Sequence, residues 1–445
     1  MLRQLEKRLL RNLILPLGDI LYGQRMMARL KRLEECQWWK PEQLHEERER
    51  QLRLLIQTIY NDVPFYRELM DQRGLCPSDI KGVADLPKLP IMTKQMLRSQ
   101  SIERITRNTG YSTYDACSSG STGQPFCIKE DSETAGWYRA SFLLALEWGG
   151  WQIGEPHLQT GMTLSRPQGR RLKDFLLHTY YVSAYDLSDS RLEANLKLIE
   201  RHSLQYLMGY PGSLYYLALH AMAQGWNQPL KAIYTWGDTL LESQRAVIEK
   251  AFGAKVYDQY GCAEGIQVSA QCGANNGYHV HALDVIVEYV DDFGNPVSPD
   301  QVGNLLLTRL HPGPTPLVRY KVGDLGIAGN QNPCSCGRGF ELMAAIRGRE
   351  SDVIITPSGN RLIVHYFTGI IEYFTQVEAF QVVQTDSDTI ILRIVPSDGY
   401  TPEIGRQIVS LLQARGAADL RIEIELVSEI PLTAGGKRRF VIRDI

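Results

Sequence analysis

From Ser118 to Gly123 every residue is Ser, Thr or Gly: Ser118, Ser119, Gly120, Ser121, Thr122 and Gly123, between Cys117 and Gln124-Pro125-Phe126. Such a loop can turn hydroxyls and successive backbone N–H groups toward an anion, and glycine lets the backbone approach closely. A polar surface turn has the same composition. A Walker A loop is excluded, because no Gly-Lys-Ser/Thr follows the glycines. A second set, Cys272, His279, Cys334 and Cys336, offers three thiolates and one imidazole, enough to close a tetrahedral structural zinc site. The Cys-x-Cys spacing is not the usual zinc-knuckle spacing. His281 and Cys262 are alternative ligands, and four unrelated cysteines and histidines in a reduced protein would read the same way.

The elements that must carry these groups alternate. Residues 206–208, 232–235 and 255–258 are strand-like, and each runs into a glycine-bearing turn: Gly-Tyr-Pro-Gly, Trp236-Gly237-Asp238 and Gln-Tyr260-Gly261-Cys-Ala-Glu264. Helices are predicted from about Leu214 and Glu242. Strand, turn and helix in repetition predict an α/β fold, whose ligands sit at the carboxyl ends of the strands. After Gly277 the segments 285–290 and 304–308 predict a β subdomain, and beyond about residue 350 the pattern predicts a small α+β domain. Before the loop, residues 2–57 read as helical, with Leu5, Leu9, Leu10, Leu13 and Ile14 at three- and four-residue steps and basic residues between them. Pro16 is expected to interrupt the first helix. Leu-Pro-Lys-Leu-Pro-Ile-Met-Thr-Lys, from Leu86, is an extended connector with Thr93 as an N-cap.

A chain of 445 residues predicts two or three domains. The apolar fraction of 44% and the charged fraction of 22% are those of a soluble globular protein. A net charge of −2 argues against a nucleic-acid partner. Eight cysteines in so long a chain fit a reducing cytosol better than a disulfide framework. No apolar run reaches the roughly 20 residues that span a bilayer, and no cleavable leader is evident.

Five motifs in order resemble the acyl-adenylate-forming superfamily, in the branch of phenylacetate-CoA ligase and its relatives in polysaccharide gene clusters. They are Ser-Ser-Gly-Ser-Thr-Gly-Gln-Pro from Ser118, Tyr-Gly-Cys-Ala-Glu from Tyr260, Tyr-Lys-Val-Gly-Asp from Tyr320, Gly-Arg-Glu-Ser-Asp from Gly348 and Pro-Leu-Thr-Ala-Gly-Gly-Lys from Pro431. The resemblance spans about Val63 to Lys437. It implies a helical extension at 1–60, a large α/β adenylating domain with its β subdomain at 61–349, and a small mobile C-terminal α+β lid at 350–445.

It also implies the chemistry. An unactivated carboxylate is a poor electrophile, so ATP converts it to an acyl-AMP, with pyrophosphate leaving. Positioning and electrostatics do most of the work in such transfers. The loop 118–123 would hold the β- and γ-phosphates, and Glu264 would ligate Mg²⁺; a helix N-terminal acid is the plain alternative for Glu264. Tyr260 and Gly261, with Gly237 and Asp238, would lie against the adenine, and Asp324 would accept the ribose hydroxyls. Arg349 would pair with phosphate or ribose, and Lys437 would be carried in by the small domain to bridge carboxylate and α-phosphate. Some relatives carry a similar Cys/His set, which supports structural zinc. Three positions depart from the family pattern: Ser351 stands at the hinge, Gln124 where the loop often ends in lysine, and Gly237-Asp238 beside the adenine. The acid would lie near Gly209-Tyr210-Pro211-Gly212, Trp236 and Tyr260, with another wall from His157 to Met162.

The activity implied is a cytoplasmic ATP- and Mg²⁺-dependent acid–CoA ligase, with coenzyme A as acceptor and structural zinc. The alternatives are amide formation on an amino group, for example of a sugar in polysaccharide biosynthesis, and a catalytically silent nucleotide-binding relative. The basic N-terminal helices could pack on their own domain, join a homodimer, or lie peripherally on the inner face of a membrane.

Overall fold

Short runs of β-branched and aliphatic residues that read as fully buried strands need cover on both faces, and helices between them provide it. A computed structural model of the chain has Tyr206–Gly209 and Ala232–Thr235 buried along their whole length. The structure describes residues 2–118, 126–161, 166–184, 186–330, 332–349, 353–359, 361–371, 373–431 and 439–443. These two strands pair in parallel with each other, Tyr206 opposite Ala232, and the second pairs in parallel with Val256–Cys262. Helices Pro211–Ala223 and Glu242–Phe252 make the crossovers. Their apolar faces, with that of Asp189–His202, pack into a core holding Leu192, Leu214, Leu217, Ile233, Ile248 and Phe252.

The sheet has 11 strands, in the order Val285–Val290, Val302–Arg309, Tyr320–Ala328, Leu342–Arg349, Tyr278–Val280, Ile266–Gln271, Val256–Cys262, Ala232–Thr235, Tyr206–Gly209, His157–Gly161, Thr179–Ser183. The β subdomain expected after Gly277 is built as an extension of this same sheet. The reason lies in Val256–Cys262, which pairs in parallel with Ala232–Thr235 and antiparallel with Ile266–Gln271. Its turn at Glu264 closes a hairpin, not a strand-to-helix connection.

Residues 2–62 are almost wholly helical: Leu2–Leu9, a wide π-type turn at Leu10–Ile14, Leu15–Tyr22, Met26–Cys36 and Pro41–Asp62. Pro16 does not break the helix. It sits in the first turn of Leu15–Tyr22, where its missing N–H costs little, and the irregularity precedes it. Leu10, Leu30, Leu33, Cys36 and Leu44 are buried in a second core with Leu144, Trp148, Tyr234, Cys272 and Cys334. The helical region is thus packed into the main body.

One hairpin, Thr113–Ser118 with Phe126–Asp131, sets Cys117 directly opposite Cys127, and the two form a disulfide. This departs from the expectation of thiols throughout. The pairing arises because an antiparallel ladder brings two cysteines from neighbouring strands face to face.

The chain divides into two compact units, Met1–Val322 with Ile327–Ala345, and Gly323–Gly326 with Ile346–Ile445. The second carries a four-stranded sheet in the order Arg421–Leu426, Thr389–Pro396, Val377–Asp386, Val441–Arg443. Helices Val364–Ile371 and Pro402–Leu412 contribute Phe367, Ile370, Ile408 and Leu412 to its own core, with Val382, Leu392 and Ile394.

Candidate functional site

The Ser/Gly segment lies in sequence between the paired strands Thr113–Ser118 and Phe126–Asp131. Ser118 ends the first strand; Ser119, Gly120, Ser121, Thr122 and Gly123 lie outside the described residues, as does Gln124. Asp131, at the far end of the second strand, accepts from the backbone N–H of Thr134 at 2.8 Å and so caps the helix Ser132–Trp148.

Glu264 is buried, at the turn between Val256–Cys262 and Ile266–Gln271. Its Oε1 accepts from the Tyr320 hydroxyl at 2.7 Å and lies 3.6 Å from the Lys94 Nζ. Both partners arrive by one stitch: Met92 bridges Tyr320 in parallel, with Met92 N–H on the Arg319 carbonyl (3.0 Å) and Lys321 N–H on the Met92 carbonyl (2.8 Å). The Thr93 hydroxyl then accepts from Met96 N–H at 3.2 Å, starting the short helix Lys94–Arg98 as its cap. The connector read only as extended chain thus delivers a cation to Glu264, a role the sequence reading missed although Lys94 closes the motif it singled out. Behind the turn, Arg309 is fully buried. It pairs with Glu130 at 2.5 Å and donates to the Glu264 carbonyl at 3.3 Å. Burial pushes the Glu130 carboxyl up, and Arg309 opposes that shift. The turn is held from beneath by a charged pair that leaves the Glu264 carboxylate to face Lys94. A lone buried carboxylate of this kind fits Mg²⁺, which takes one or two protein carboxylates together with substrate phosphates.

The other glycine turns follow the buried parallel strands. Gly237 has φ +81°, and a Cβ there would meet the Tyr210 ring at 2.7 Å, so that ring and this backbone need each other's shape. Trp236 packs edge-on to Phe142, with ring centroids 5.2 Å apart. Tyr210 N–H donates to the Thr160 hydroxyl at 3.2 Å, tying the turn to the strand His157–Gly161. Asp258, one strand over, accepts from Thr235 (2.5 Å) and Tyr278 (2.8 Å), and burial pushes its carboxyl up to about 6. Asp238 is exposed and caps its own turn by accepting from Thr239 N–H at 2.9 Å. Tyr260 is 9% exposed, and Gly261, the next residue, is exposed. Asp324 is half-buried on Tyr320–Ala328, and Arg349 ends the strand Leu342–Arg349. Ser351 and Lys437 lie outside the described residues.

Cys272, His279, Cys334 and Cys336 come together, their ligand atoms all within 4.8 Å of one another. The Cys272 and Cys334 sulfurs are 3.7 Å apart, and the Cys336 sulfur is 3.2 Å from His279 Nε2. A tetrahedral zinc with Zn–S near about 2.3 Å separates its sulfurs by about 3.8 Å, so the donor set fits. His279 Nδ1 meets the Phe340 carbonyl at 3.0 Å. A carbonyl only accepts, so Nδ1 carries the proton and Nε2 turns its lone pair to the cysteines. Burial pushes the Cys272 thiol up to about 12, a cost that a cation at this point would offset. Of the alternatives, His281 is buried against Trp148 and Cys262 lies beside Arg309; neither joins the four. The cluster abuts the N-terminal helices: Gln37 accepts from Trp148 Nε1 (2.9 Å) and Arg338 Nε (2.8 Å), and its carbonyl from Gly339 N–H (2.8 Å).

A family model described as the CapK C-terminal domain matches residues 354–444. Protein CapK of Staphylococcus aureus is 25% identical over 433 residues, 95% of this chain and 93% of that one. The phenylacetate-coenzyme A ligase of Thermus thermophilus is 26% identical over 399 residues, 83% of this chain and 85% of that one. The chain is a relative of the phenylacetate-coenzyme A ligases and of CapK. That is the superfamily and branch to which the five motifs point. Solved structures give the same fold. A 2-hydroxyisobutyryl-CoA ligase matches with a TM-score of 0.74 at 19% identity, covering 92% of each chain. The amide bond synthetase McbA of Marinactinospora thermotolerans matches with a TM-score of 0.54 at 20% identity, covering 71% of this chain and 66% of that one.

Proposed function

We propose that this ligase activates a carboxylic acid as its acyl-AMP, with release of pyrophosphate, and then transfers the acyl group to coenzyme A. The observation that carries the reading is the buried Glu264 carboxylate, set between Tyr320 and Lys94 at the turn after a parallel strand. In this reading Glu264 holds Mg²⁺, which supplies charge neutralisation on the phosphates of ATP. The segment 118–123 receives those phosphates. Tyr260, Gly261, Gly237 and Asp238 form the nucleotide's base side, Asp324 takes the ribose hydroxyls, and Arg349 pairs with phosphate or ribose. Lys437 brings the charge that draws acid carboxylate and α-phosphate together. The acid lies among Tyr210, Trp236 and Phe142, whose rings suit an apolar or aryl group. Zinc at Cys272, His279, Cys334 and Cys336 is structural, because four protein donors leave no open position. The chemistry belongs in the cytoplasm, where ATP and coenzyme A are available.

One second reading, for a fold shared with an amide bond synthetase, has an amino group take the acyl-adenylate to give an amide. Both readings share the first half-reaction and differ only in the acceptor. A catalytically silent relative would have no need of Glu264, Asp324 and Lys437 together.

The deciding experiment is carboxylate-dependent exchange of labelled pyrophosphate into ATP over aryl, fatty, amino and sugar acids. Exchange with one acid class, reduced about 10²- to 10³-fold in Lys437→Ala with ATP binding retained, supports adenylation. Full exchange in Lys437→Ala removes Lys437 from the reaction, whereas no exchange with any acid, in protein that binds ATP, turns the reading toward the silent relative. Adding coenzyme A or amines to the active pair then separates thioester from amide.

A further inference from the structure

Exposed apolar side chains are normally scattered over a protein's surface. Here seven of the 22 large exposed ones among the described residues fall between Leu5 and Tyr22. Leu5, Leu9, Leu13, Leu17 and Leu21 recur every four residues, with Ile20 beside the last. In an ideal α-helix a four-residue repeat drifts steadily around the axis. The wide turn at Leu10–Ile14 takes up part of that drift, so the leucines keep to one side. The opposite side is anchored. Leu10 is buried, Arg11 binds Glu34 and Glu147, and Lys7 pairs with Glu155. The stripe therefore faces outward because the other face is fixed to the body.

A second helix, Gln168–Leu176, adds to this face. Leu172 and Phe175 are 60% and 75% exposed, and His178, just beyond it, pairs with Glu6 of the first helix at 2.9 Å. The charge around these residues is one-sided. Arg8, Arg170 and Arg171 are exposed and take part in no ion pair among the described residues, and Lys173 lies amid Arg139, Arg166 and Arg170. The carboxylates of these segments are all engaged: Glu6 with His178, Asp174 with Arg166 at 2.5 Å, and Asp19 buried beneath Met27 N–H at 2.6 Å.

We propose that this face docks the protein on an anionic lipid surface, with the leucine stripe and Phe175 in the interface and the arginines against headgroups. Charge complementarity selects that occupant. A second copy of the chain would bring the same cationic patch against itself across a two-fold axis. No helix among the described residues is long and apolar enough to cross a membrane, so the attachment is to one surface.

Flotation of the full chain with phosphatidylcholine vesicles, with and without phosphatidylglycerol, tests this. The expected result is flotation with the anionic vesicles only, released by salt. Arg170→Gln with Arg171→Gln should lower the partition coefficient about 25-fold, at roughly fivefold per charge. Leu17→Gln with Ile20→Gln should abolish flotation. Both pairs are exposed, and an unchanged melting temperature checks that each variant stays folded. No flotation at low salt overturns the proposal, and so does equal flotation with both vesicles. A stripe variant that only dissociates a dimer in sedimentation, in protein that never floats, assigns the face to a second copy and also overturns it.

Discussion

Glu264 faces two donors of different character, and they predict different losses. Tyr320 gives a neutral hydrogen bond at 2.7 Å inside the fold, whereas Lys94 gives a charge at 3.6 Å with about a third of its side chain exposed. A divalent cation held at Glu264, as proposed, would compete with Lys94 for the same oxygen. Lys94→Met should therefore lower the Mg²⁺ concentration needed for half-maximal pyrophosphate exchange, while leaving Glu264 short of a partner when Mg²⁺ is withheld. Tyr320→Phe should cost about 1 kcal/mol of stability and shift that Mg²⁺ requirement little. A Mg²⁺ titration of the two variants, with thermal melts alongside, distinguishes them. An unchanged requirement in Lys94→Met would remove Lys94 from this role. Lys94 was visible in the sequence as the last residue of the Leu-Pro-x-x-Thr-Lys connector, and Thr93 was legible as its cap. The lysine's target was not legible, because a contact between residues so distant along the chain is set by strand pairing and leaves no local periodicity.

At the scale of elements, the four-ligand cluster joins the loop after Ile266–Gln271, the strand Tyr278–Val280 and the turn at Cys334–Cys336. Their ligand atoms lie within 4.8 Å of one another, the spacing a bound zinc would need. Cys334→Ser should thus abolish stoichiometric zinc in the purified protein and lower the melting temperature by more than about 5 °C, with chelation having the same effect on the parent. Metal analysis returning no zinc in the parent, with Cys334→Ser equally stable, would show the cluster to be plain packing. The residue types announced this site; the spacing did not. The alternation of strand and helix as far as Phe252 was likewise readable, since each element announces itself by local pattern. Beyond Tyr260, as far as Gly277, the sequence suggested no element; there Ile266–Gln271 is buried along its whole length and pairs with strands on both sides, a pairing that no local pattern announces. The Cys117–Cys127 disulfide was missed for the same reason, because the register of a hairpin is not written in either strand alone.

At the scale of the whole molecule, the chain matches CapK over 95% of its length and a phenylacetate-coenzyme A ligase over 83%. The helices at the start of the chain bear on any attempt to exchange parts between such relatives. Leu30, Leu33, Cys36 and Leu44 lie in the same core as Cys272 and Cys334, and Gln37 is bonded to Trp148, Arg338 and Gly339. A recombinant fragment beginning at residue 61 should accordingly be insoluble or melt far below the full chain, by loss of a core wall. A splice made near residue 346, between the two compact units, should give chimeras that fold. Soluble expression of the two libraries reads this directly. The N-terminal segment is then a graft that cannot be taken alone: whoever borrows the adenylating body inherits its opening helices with it.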